Sequence, residues 1–593
     1  MSKIRKSFGF IGLVLAMFMG ALDATIVNIA LPDIMKDLDS GLTDTSWVAT
    51  IYVLAMAIFI ITASKLADLY GRRLVMLIGV VLFGVFSFAC MTASSLCLLI
   101  VYRFFQGIGG AILTPIVLPM GIALFGKSST SKVTAVMGAF SALAAAGGPV
   151  IGGLIIHWTT YHWIFGINVP IAILAFLLIF WGNEESYDFS ITREIDWFGM
   201  LFLTCTLGGL TFGLLEGREY GWTSAIILSS FAISVIGFIL LIVVERKVKS
   251  PIIELSLFKE KTFTASSIIY MIFGFAIIVP SLILNYFLQN VRNYSALHSA
   301  YLIVPASLAI VVGMPLATKM YQKISAKLLV CIGMFITAGG LYMLGLVHYA
   351  TSKSIIICCN VIIGLGLGFM AMALTASVKY LPVTKAGIGS GIVNAARYIG
   401  QAVGMALLVT ILNANINIAK DNIRHDAYAQ IDKHNLSDSV KKVAKSEIKQ
   451  TFKSSNNTTD VSSKQNMMIK KIKAVAKETD SLPLPKKGSD YRKLYEANSQ
   501  LVAGTEKVVA NLPQQLNSAF LPLAKGQTQL GLAVQLLAQK EELTDTFKQI
   551  KDSKNKNLSQ AFDQVFVIGS LIVLLLTPLA YLTDKKIREE SII

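Results

Sequence analysis

The sequence predicts an all-α membrane protein with fourteen transmembrane helices. Of its 593 residues, 54% are hydrophobic and only 15% are charged. This balance does not fit the classes of soluble globular protein. Apolar runs of about 18 residues or more, enough for a helix to cross a hydrocarbon core of about 30 Å, occur fourteen times. The runs group as six, two and six, and a long polar segment separates the last two.

The fourteen apolar runs define the predicted helices. They lie near 7–32, 46–66, 73–93, 97–122, 132–156, 162–182, 196–215, 223–244, 263–290, 297–318, 327–347, 353–378, 386–413 and 562–583. The first run follows a basic start, as in a signal peptide, but its helical pattern continues to Pro32. We therefore expect an uncleaved first helix.

The grouping predicts five regions. They are an N-terminal six-helix bundle (1–182), two linker helices with flanking cytoplasmic loops (183–261), helices 9–13 of a C-terminal bundle (262–414), an extracellular helical loop domain (415–560), and helix 14 with a cytoplasmic tail (561–593). The stretch "KLADLYGRRLVMLIG" is echoed in the second half by "PLATKMYQKISAKLLVCIG". Repeated halves with a site between them are typical of secondary transporters.

The distribution of lysine and arginine predicts the orientation. Only four of these residues fall in the short outer loops if the N-terminus is inside: Lys36, Arg218, Arg292 and Lys353. Both termini are therefore expected in the cytoplasm. Lysine outnumbers arginine 40 to 12, which is typical of an AT-rich bacterial genome. We expect a multi-pass protein of the bacterial cytoplasmic membrane, in contact with the lipid bilayer.

The net charge of +17 does not indicate a nucleic-acid partner. About half of it comes from the segment 420–560, which holds 24 basic and 15 acidic residues. Three stretches there have helical patterns: "DSVKKVAKSEIKQTF", "QNMMIKKIKAVAKE" and "NSAFLPLAKGQTQLGLAVQLLAQKEELTDTFKQI". We expect a helical hairpin or small bundle, with disorder over 450–465.

Several kinds of chemistry are not expected. All six cysteines fall in predicted spans, which predicts neither a disulfide framework nor a metal site. No G-x-x-x-x-G-K-[ST] loop occurs, so ATP is not expected as the energy source. We expect no cofactor and no enzymatic activity.

Asp23 is the one carboxylate predicted well inside the hydrocarbon. Asp33 and Glu216 lie near the outer ends of their spans, and no acidic residue occurs from Lys261 through Lys420. Arg103 in the fourth span is the nearest plausible partner of Asp23. Burial raises a carboxyl pKa and a nearby guanidinium lowers it, so this pair could exchange its contact for a proton. A permanent pair that only joins two helices is the other interpretation.

The stretch "SKLADLYGRR" (64–73) interrupts the apolar pattern between spans 2 and 3. The positive-inside rule explains Arg72 and Arg73. It does not explain Asp68 and Gly71 at this spacing. A carboxylate at the end of a span can accept hydrogen bonds from the N-terminus of a neighbouring helix. We therefore expect these four residues to form a gate on the cytoplasmic side.

This stretch resembles the signature G-x-L-a-D-r-x-G-r-r of the major facilitator superfamily, with Ser64 and Leu69 as departures. "LDATIVNIALP" and "RFFQGIGGAI" resemble the first-span and fourth-span motifs of its drug:proton antiporters. "AAAGGPVIGG" resembles the fifth-span antiporter motif. The matching positions there are Gly148, Pro149, Gly152 and Gly153, with Ala144 in place of a further glycine.

Four more stretches resemble the fourteen-span (DHA2) family of multidrug exporters: "HWIFGINVP", "DWFGMLF", "SPIIELSLF" and "GSGIVNAARYIGQAVG". The resemblance implies the superfamily fold of two six-helix bundles and alternating access. It implies export of lipophilic compounds against protons, with Asp23 and Arg103 in proton coupling and the fifth-span motif as a packed seam. We expect monovalent cations as substrates, because no second buried acid is available.

Seven residues on spans that would face the central cavity are candidate substrate contacts: Asn28, Phe104, Gln106, Phe140, Tyr270, Asn285 and Arg397. Aromatic rings suit lipophilic cations, although they are equally ordinary in core or lipid-facing positions. Arg397 suits either backbone carbonyls or an anionic substrate.

Two other functions remain open at this stage. The protein could export an anionic amphiphile or an envelope lipid, guided by Arg397 and the lysine-rich outer segment. Alternatively, the segment 415–560 could bind a cell-envelope component and act as a receptor, with the spans as its anchor.

Overall fold

The structure is a computed structural model that describes residues 3–126, 130–187, 196–217, 219–248, 251–253, 255–321, 323–379, 386–454, 482–511 and 514–584. All regular elements among these residues are helices. The chain divides into two compact units. The first comprises Met1–Asn415 and Phe562–Ile593, and the second comprises Ile416–Ala561.

The first unit contains sixteen helices in whole or in part among the described residues up to Asn415. They are α1 (Lys3–Asp37), α2 (Leu42–Tyr70), α3 (Arg72–Met91), α4 (Leu96–Phe125), α5 (Thr130–Trp158), α6 (Trp163–Gly166), α7 (Asn168–Gly182), α8 (Trp197–Glu216), α9 (Ala225–Glu245), α10 (Lys261–Ile278), α11 (Leu284–Tyr286), α12 (Ala296–Tyr321), α13 (Ala326–Leu344), α14 (Lys353–Met370), α15 (Met372–Lys379) and α16 (Ala386–Lys433). Two π-helical turns, Val279–Ile283 and Phe287–Val291, flank α11. Short 3₁₀ helices cover Leu255–Lys259 and Thr577–Leu582.

The structure confirms the prediction of an all-α membrane protein. Thirteen helical segments among the described residues are long and apolar enough to cross a membrane. Each coincides with one of the fourteen predicted runs. The remaining run, 132–156, forms the 29-residue helix α5 but is not among the thirteen. The total of fourteen spans therefore stays a prediction, as does the outer location of residues 415–560.

The second unit is built from the end of α16 and from α17 (Asp438–Ser454), α18 (Asp490–Ala510) and α19 (Gln514–Leu576), the last of which continues into the first unit. Buried aliphatic and aromatic side chains, most of them four residues apart, form its core. They are Ala427, Ile431, Leu436, Val440, Ala444, Ile448, Leu543 and Phe547. A hydrogen bond joins His434 and Glu542, with 2.8 Å between Nδ1 and Oε2. This unit therefore has an apolar core of its own.

The helical prediction for "DSVKKVAKSEIKQTF" is confirmed by α17. The prediction of disorder over 450–465 is wrong for residues 450–454, which belong to this helix. Val440, Ala444 and Ile448 lie on one face of α17 and are buried, so tertiary packing stabilises the helix. The rest of that range, and the predicted helix over 465–478, lie outside the described residues.

The core of the second unit predicts that alanine substitutions at two isoleucines differ in their effect on stability. Ile431 is 1% exposed and Ile418 is 58% exposed. Ile431→Ala should destabilise this unit by about 2–5 kcal/mol because it leaves a cavity, whereas Ile418→Ala should change stability by less than about 0.5 kcal/mol. The rate of trypsin cleavage within residues 416–561 of the full chain measures this difference. Equal cleavage rates in the two variants would contradict the assigned core.

Candidate functional site

Asp23 of α1 and Arg103 of α4 form a fully buried ion pair. Asp23 is 0% exposed and Arg103 is 1% exposed. The Nη1 atom of Arg103 lies 2.5 Å from Oδ2 of Asp23. The Nε atom of Arg103 donates to the carbonyl oxygen of Val48 on α2 at 3.0 Å. The predicted partnership of Asp23 and Arg103 is therefore present in the structure.

Two amides complete the hydrogen bonding of the Asp23 carboxylate. Gln106 and Asn168 donate to its Oδ1 atom at 3.0 and 2.9 Å. Gln106 also donates to Oγ of Ser87 at 2.8 Å, and its Oε1 atom accepts from Nη1 of Arg103 at 2.8 Å. A buried charge is tolerated only when it is paired and hydrogen-bonded. This shell, which joins α1, α3, α4 and α7, meets that requirement.

Aromatic rings cover the Arg103 guanidinium. Its Cζ atom lies 4.1 Å from the ring centroid of Tyr52 and 5.7 Å from that of Phe165. Aromatic faces attract a cation more strongly when water is excluded. Arg103 therefore has favourable contacts that do not depend on the charge of Asp23.

Sequence reasoning assigned Gln106 to substrate contact and did not identify Asn168 or Ser87. All three side chains are fully buried, and both amides contact Asp23. Gln106 follows Arg103 by three positions, so the two side chains share a face of α4. An amide in the apolar stretch "FGINVP" was a signal that Asn168 is structurally constrained.

Asp68 and Arg72 form an ion pair at the end of α2. The Nε atom of Arg72 lies 2.7 Å from Oδ1 of Asp68, and both side chains are partly exposed. The residue between the two helices, Gly71, has a φ of +112°. The two charged residues and the glycine predicted as a gate therefore share one turn.

The carboxylate that caps the N-terminus of α3 belongs to Glu185, which sequence reasoning did not identify. Its Oε1 and Oε2 atoms accept from the backbone nitrogens of Arg73 and Leu74 at 2.7 and 3.0 Å. Sequence reasoning assigned such a cap to Asp68, which pairs with Arg72 in the structure. The Arg73 guanidinium donates to the carbonyl of Phe180 and lies 4.9 Å from the ring centroid of Phe180.

The fifth-span motif lies where α5 contacts two helices. Gly148 and Gly152 face α1, and a Cβ at Gly152 would lie 2.6 Å from Cγ2 of Ile29. Gly153 faces α12, where a Cβ would lie 2.8 Å from Cα of Leu297. Pro149 lies between these glycines inside the helix and is buried. Small residues thus allow close helix packing at this position, as in other membrane helices.

The remaining candidate substrate contacts form separate groups. Nδ2 of Asn285 donates to the carbonyl oxygen of Asn28 at 2.6 Å, between the two halves of the first unit. Phe104 packs edge-on against Phe59, with 6.0 Å between ring centroids, and Phe140 is 42% exposed.

Tyr270 and Arg397 form another group. Tyr270 stacks on Phe273 with 5.0 Å between ring centroids, and its phenol interacts electrostatically with Arg397. The positions of these candidate residues in the sequence did not predict which of them contact one another.

Three acidic side chains among the described residues lie close enough together to hold a metal ion. Carboxylate oxygens of Asp44, Glu216 and Glu219 lie within 4.8 Å of one another. Nε1 of Trp47 donates to Oε1 of Glu216 at 2.8 Å. This contact satisfies the buried member of the cluster, and we assign no ion to it.

Gly71 predicts a position where alanine is poorly tolerated. A Cβ there would lie 2.5 Å from the carboxyl carbon of Glu185, and the positive φ costs about 1–2 kcal/mol for an L residue. Gly126 has a φ of +86°, and no atom of the described residues lies within 4 Å of a Cβ placed there, so Gly126→Ala should carry only the backbone cost. The midpoint of thermal unfolding should fall more in Gly71→Ala than in Gly126→Ala. Equal falls would show that the Glu185 contact is unimportant.

Comparison with known proteins agrees with this architecture. A profile of the Major Facilitator Superfamily matches residues 13–405. A multidrug transporter protein of Bacillus subtilis, MdtP, is 32% identical over 70% of this chain and 76% of its own length. The multidrug resistance protein Stp of Mycobacterium tuberculosis is 34% identical over 68% of this chain and 74% of its own length.

A solved structure supports the fold. The crystal structure of a POT family transporter superposes with a TM-score of 0.53 at 18% identity, covering 69% of this chain and 90% of that one. The profile match spans both halves of the first unit and ends before the second unit begins. The chain is therefore a membrane transporter, not an enzyme, and belongs to the Major Facilitator Superfamily.

Proposed function

We propose that the protein exports several lipophilic compounds in exchange for protons across the bacterial cytoplasmic membrane. The buried pair of Asp23 and Arg103 is the observation that carries this proposal. The names of the similar proteins from Bacillus subtilis and Mycobacterium tuberculosis support multidrug efflux. The proton gradient supplies the energy, and both termini lie in the cytoplasm.

Asp23 is the proposed proton carrier. A carboxylate in this environment takes a proton when the contact with the guanidinium is broken. After protonation, Arg103 keeps its hydrogen bonds to the carbonyl of Val48 and to Oε1 of Gln106, and it keeps the face of Tyr52. The cation is therefore not left unsatisfied, which lowers the free energy of the protonated state.

Helix packing links this proton site to movement of the two halves. Asp23 lies on α1, two residues before Thr25. Gly148 of α5 packs against Thr25, and Gly152 packs against Ile29 one turn further along α1. Gly153 places α5 against α12 of the second half. A shift of α1 on protonation would therefore reach the contact between the halves through α5.

The turn between α2 and α3 is the proposed cytoplasmic gate. Its contacts are the Asp68–Arg72 ion pair and the hydrogen bonds from the start of α3 to Glu185. These contacts join the ends of α2, α3 and the segment after α7. All involve partly exposed charged groups, which can separate and re-form with a modest change in free energy.

Asp23→Asn should abolish substrate-induced proton movement. Asparagine keeps the size of the side chain but cannot take up a proton. In everted vesicles that hold a pH gradient, lipophilic compounds should collapse the gradient with the wild-type protein and fail to do so with the variant. Asp39→Asn is the matched control, because Asp39 is exposed and its φ of 44° is one that asparagine tolerates. Proton release that persists in Asp23→Asn would overturn the role of Asp23.

A double variant separates proton coupling from a static ion pair. Loss of one partner of a buried pair costs about 3–5 kcal/mol because the other charge is left unpaired. Asp23→Asn combined with Arg103→Gln removes both charges, so its thermal midpoint should exceed that of either single variant. We expect the double variant to bind substrate without moving protons. Full proton-coupled export by the double variant would show that the pair only joins two helices.

A further inference from the structure

Arg397 is a partly buried cation of α16 in a long stretch of the chain that contains no acidic residue. No aspartate or glutamate occurs from Lys261 through Lys420. In the N-terminal half, Asp23 compensates Arg103 at 2.5 Å. Arg397 therefore differs from Arg103 in lacking an acidic residue in its part of the chain.

Close packing of α10 and α16 determines the position of Arg397. A Cβ at Gly274 would collide with the carbonyl oxygen of Arg397, and a Cβ at Gly400 would collide with that of Met271. The two backbones are thus in direct contact on either side of this level. The backbone of Arg397 is therefore fixed where α10 and α16 contact each other, and this contact determines where its side chain begins.

The partners of Arg397 are aromatic and uncharged. Its Cζ atom lies 4.6 Å from the ring centroid of Tyr398, and the phenols of Tyr270 and Tyr398 interact with it electrostatically. Its Nε atom is buried without a hydrogen-bond partner. Part of the side chain nevertheless stays accessible, whereas Tyr270 and Tyr398 are buried. Among the described residues, the groups that interact with the Arg397 guanidinium include no carboxylate, and its Nε donor is unused.

This group lies beside the proton site. Tyr52, whose ring faces Arg103 at 4.1 Å, is close enough to Tyr398 for an electrostatic interaction. Two tyrosines therefore separate the guanidinium groups of Arg103 and Arg397. The first guanidinium belongs to a pair with no net charge, whereas the second adds one positive charge.

We propose that Arg397 binds the anionic group of the transported compound, in a subsite that selects aromatic carboxylates. The planar guanidinium can form two parallel hydrogen bonds to a carboxylate, and its positive charge compensates the negative charge that the carboxylate brings into the protein. The parallel rings of Tyr270 and Phe273, 5.0 Å apart, place an aromatic surface beside it. A lipophilic cation would meet uncompensated positive charge here, which argues against the cationic class that the sequence predicts.

This inference rests on the proposed export function, but equilibrium binding tests it without any proton gradient. The probes are 1-pyrenebutyrate, its primary amide and the corresponding amine, titrated into the full-length protein in nanodiscs and followed by fluorescence polarisation. The wild-type protein should bind the carboxylate about tenfold more tightly than the amide, because a hydrogen bond between two charged groups is involved. The amine should bind more weakly than both.

Variants of Arg397 test the assignment. Arg397→Gln should remove the preference for the carboxylate and leave binding of the amide within about twofold. Arg246→Gln is the control, because Arg246 is an exposed arginine at the end of α9, and it should keep the preference. Equal binding of carboxylate and amide by the wild-type protein, or an unchanged preference in Arg397→Gln, would overturn the proposal.

Tyr270→Phe provides a second test if Arg397→Gln does not fold. The change removes a phenol oxygen that interacts electrostatically with the guanidinium, so the carboxylate should bind about threefold more tightly while the amide is unchanged. A carboxylate affinity that stays the same or falls would contradict the subsite. Failure of proton antiport through Asp23 would leave these equilibrium results unaffected, so the two proposals can fail separately.

Discussion

The ion pair between Asp23 and Arg103 is the interaction on which the N-terminal half depends. Two charges removed from water are stable only with close contact and complete hydrogen bonding. Four helices supply those partners: α1 and α4 carry the charges, α2 gives a carbonyl and a ring, and α7 gives an amide. Any movement that separates the charges must therefore rearrange several helices together. This coupling is the physical requirement for a proton to drive a change of conformation.

The sequence predicted the class of fold because hydrophobic length is a local property. Runs of apolar residues coincide with the thirteen helical segments that are long enough to cross a membrane. Asp23 and Arg103 were predicted for the same reason, since charges in apolar runs stand out. Gln106 and Asn168 were not assigned to Asp23, because an amide in a helix has many possible partners. Their contact depends on how α1, α4 and α7 pack, and no local pattern contains that information.

Glu185 illustrates a second limit. It lies 114 residues after Gly71 in the chain, in a polar stretch with several other charged residues. A glycine with positive φ predicts a sharp turn, but it does not predict which carboxylate caps the following helix. Asp68 was the nearer acid and was assigned that role, whereas the structure pairs it with Arg72. The motif therefore predicted the location of the turn, but it did not predict that Glu185 caps the following helix.

The charge of the substrate determines which part of the proton gradient drives the proposed exchange. Exchange of one proton for one monovalent cation moves no net charge, so only the pH difference contributes. Exchange of one proton for one anion moves two charges across the membrane, and each is worth about 2.3 kcal/mol per 100 mV. An anionic substrate thus makes export strongly voltage-driven, about 4.6 kcal/mol at 100 mV. The charge of Arg397 and the buried pair at Asp23 together fit the proposed exchange, in which one group holds the anion while the other carries the proton.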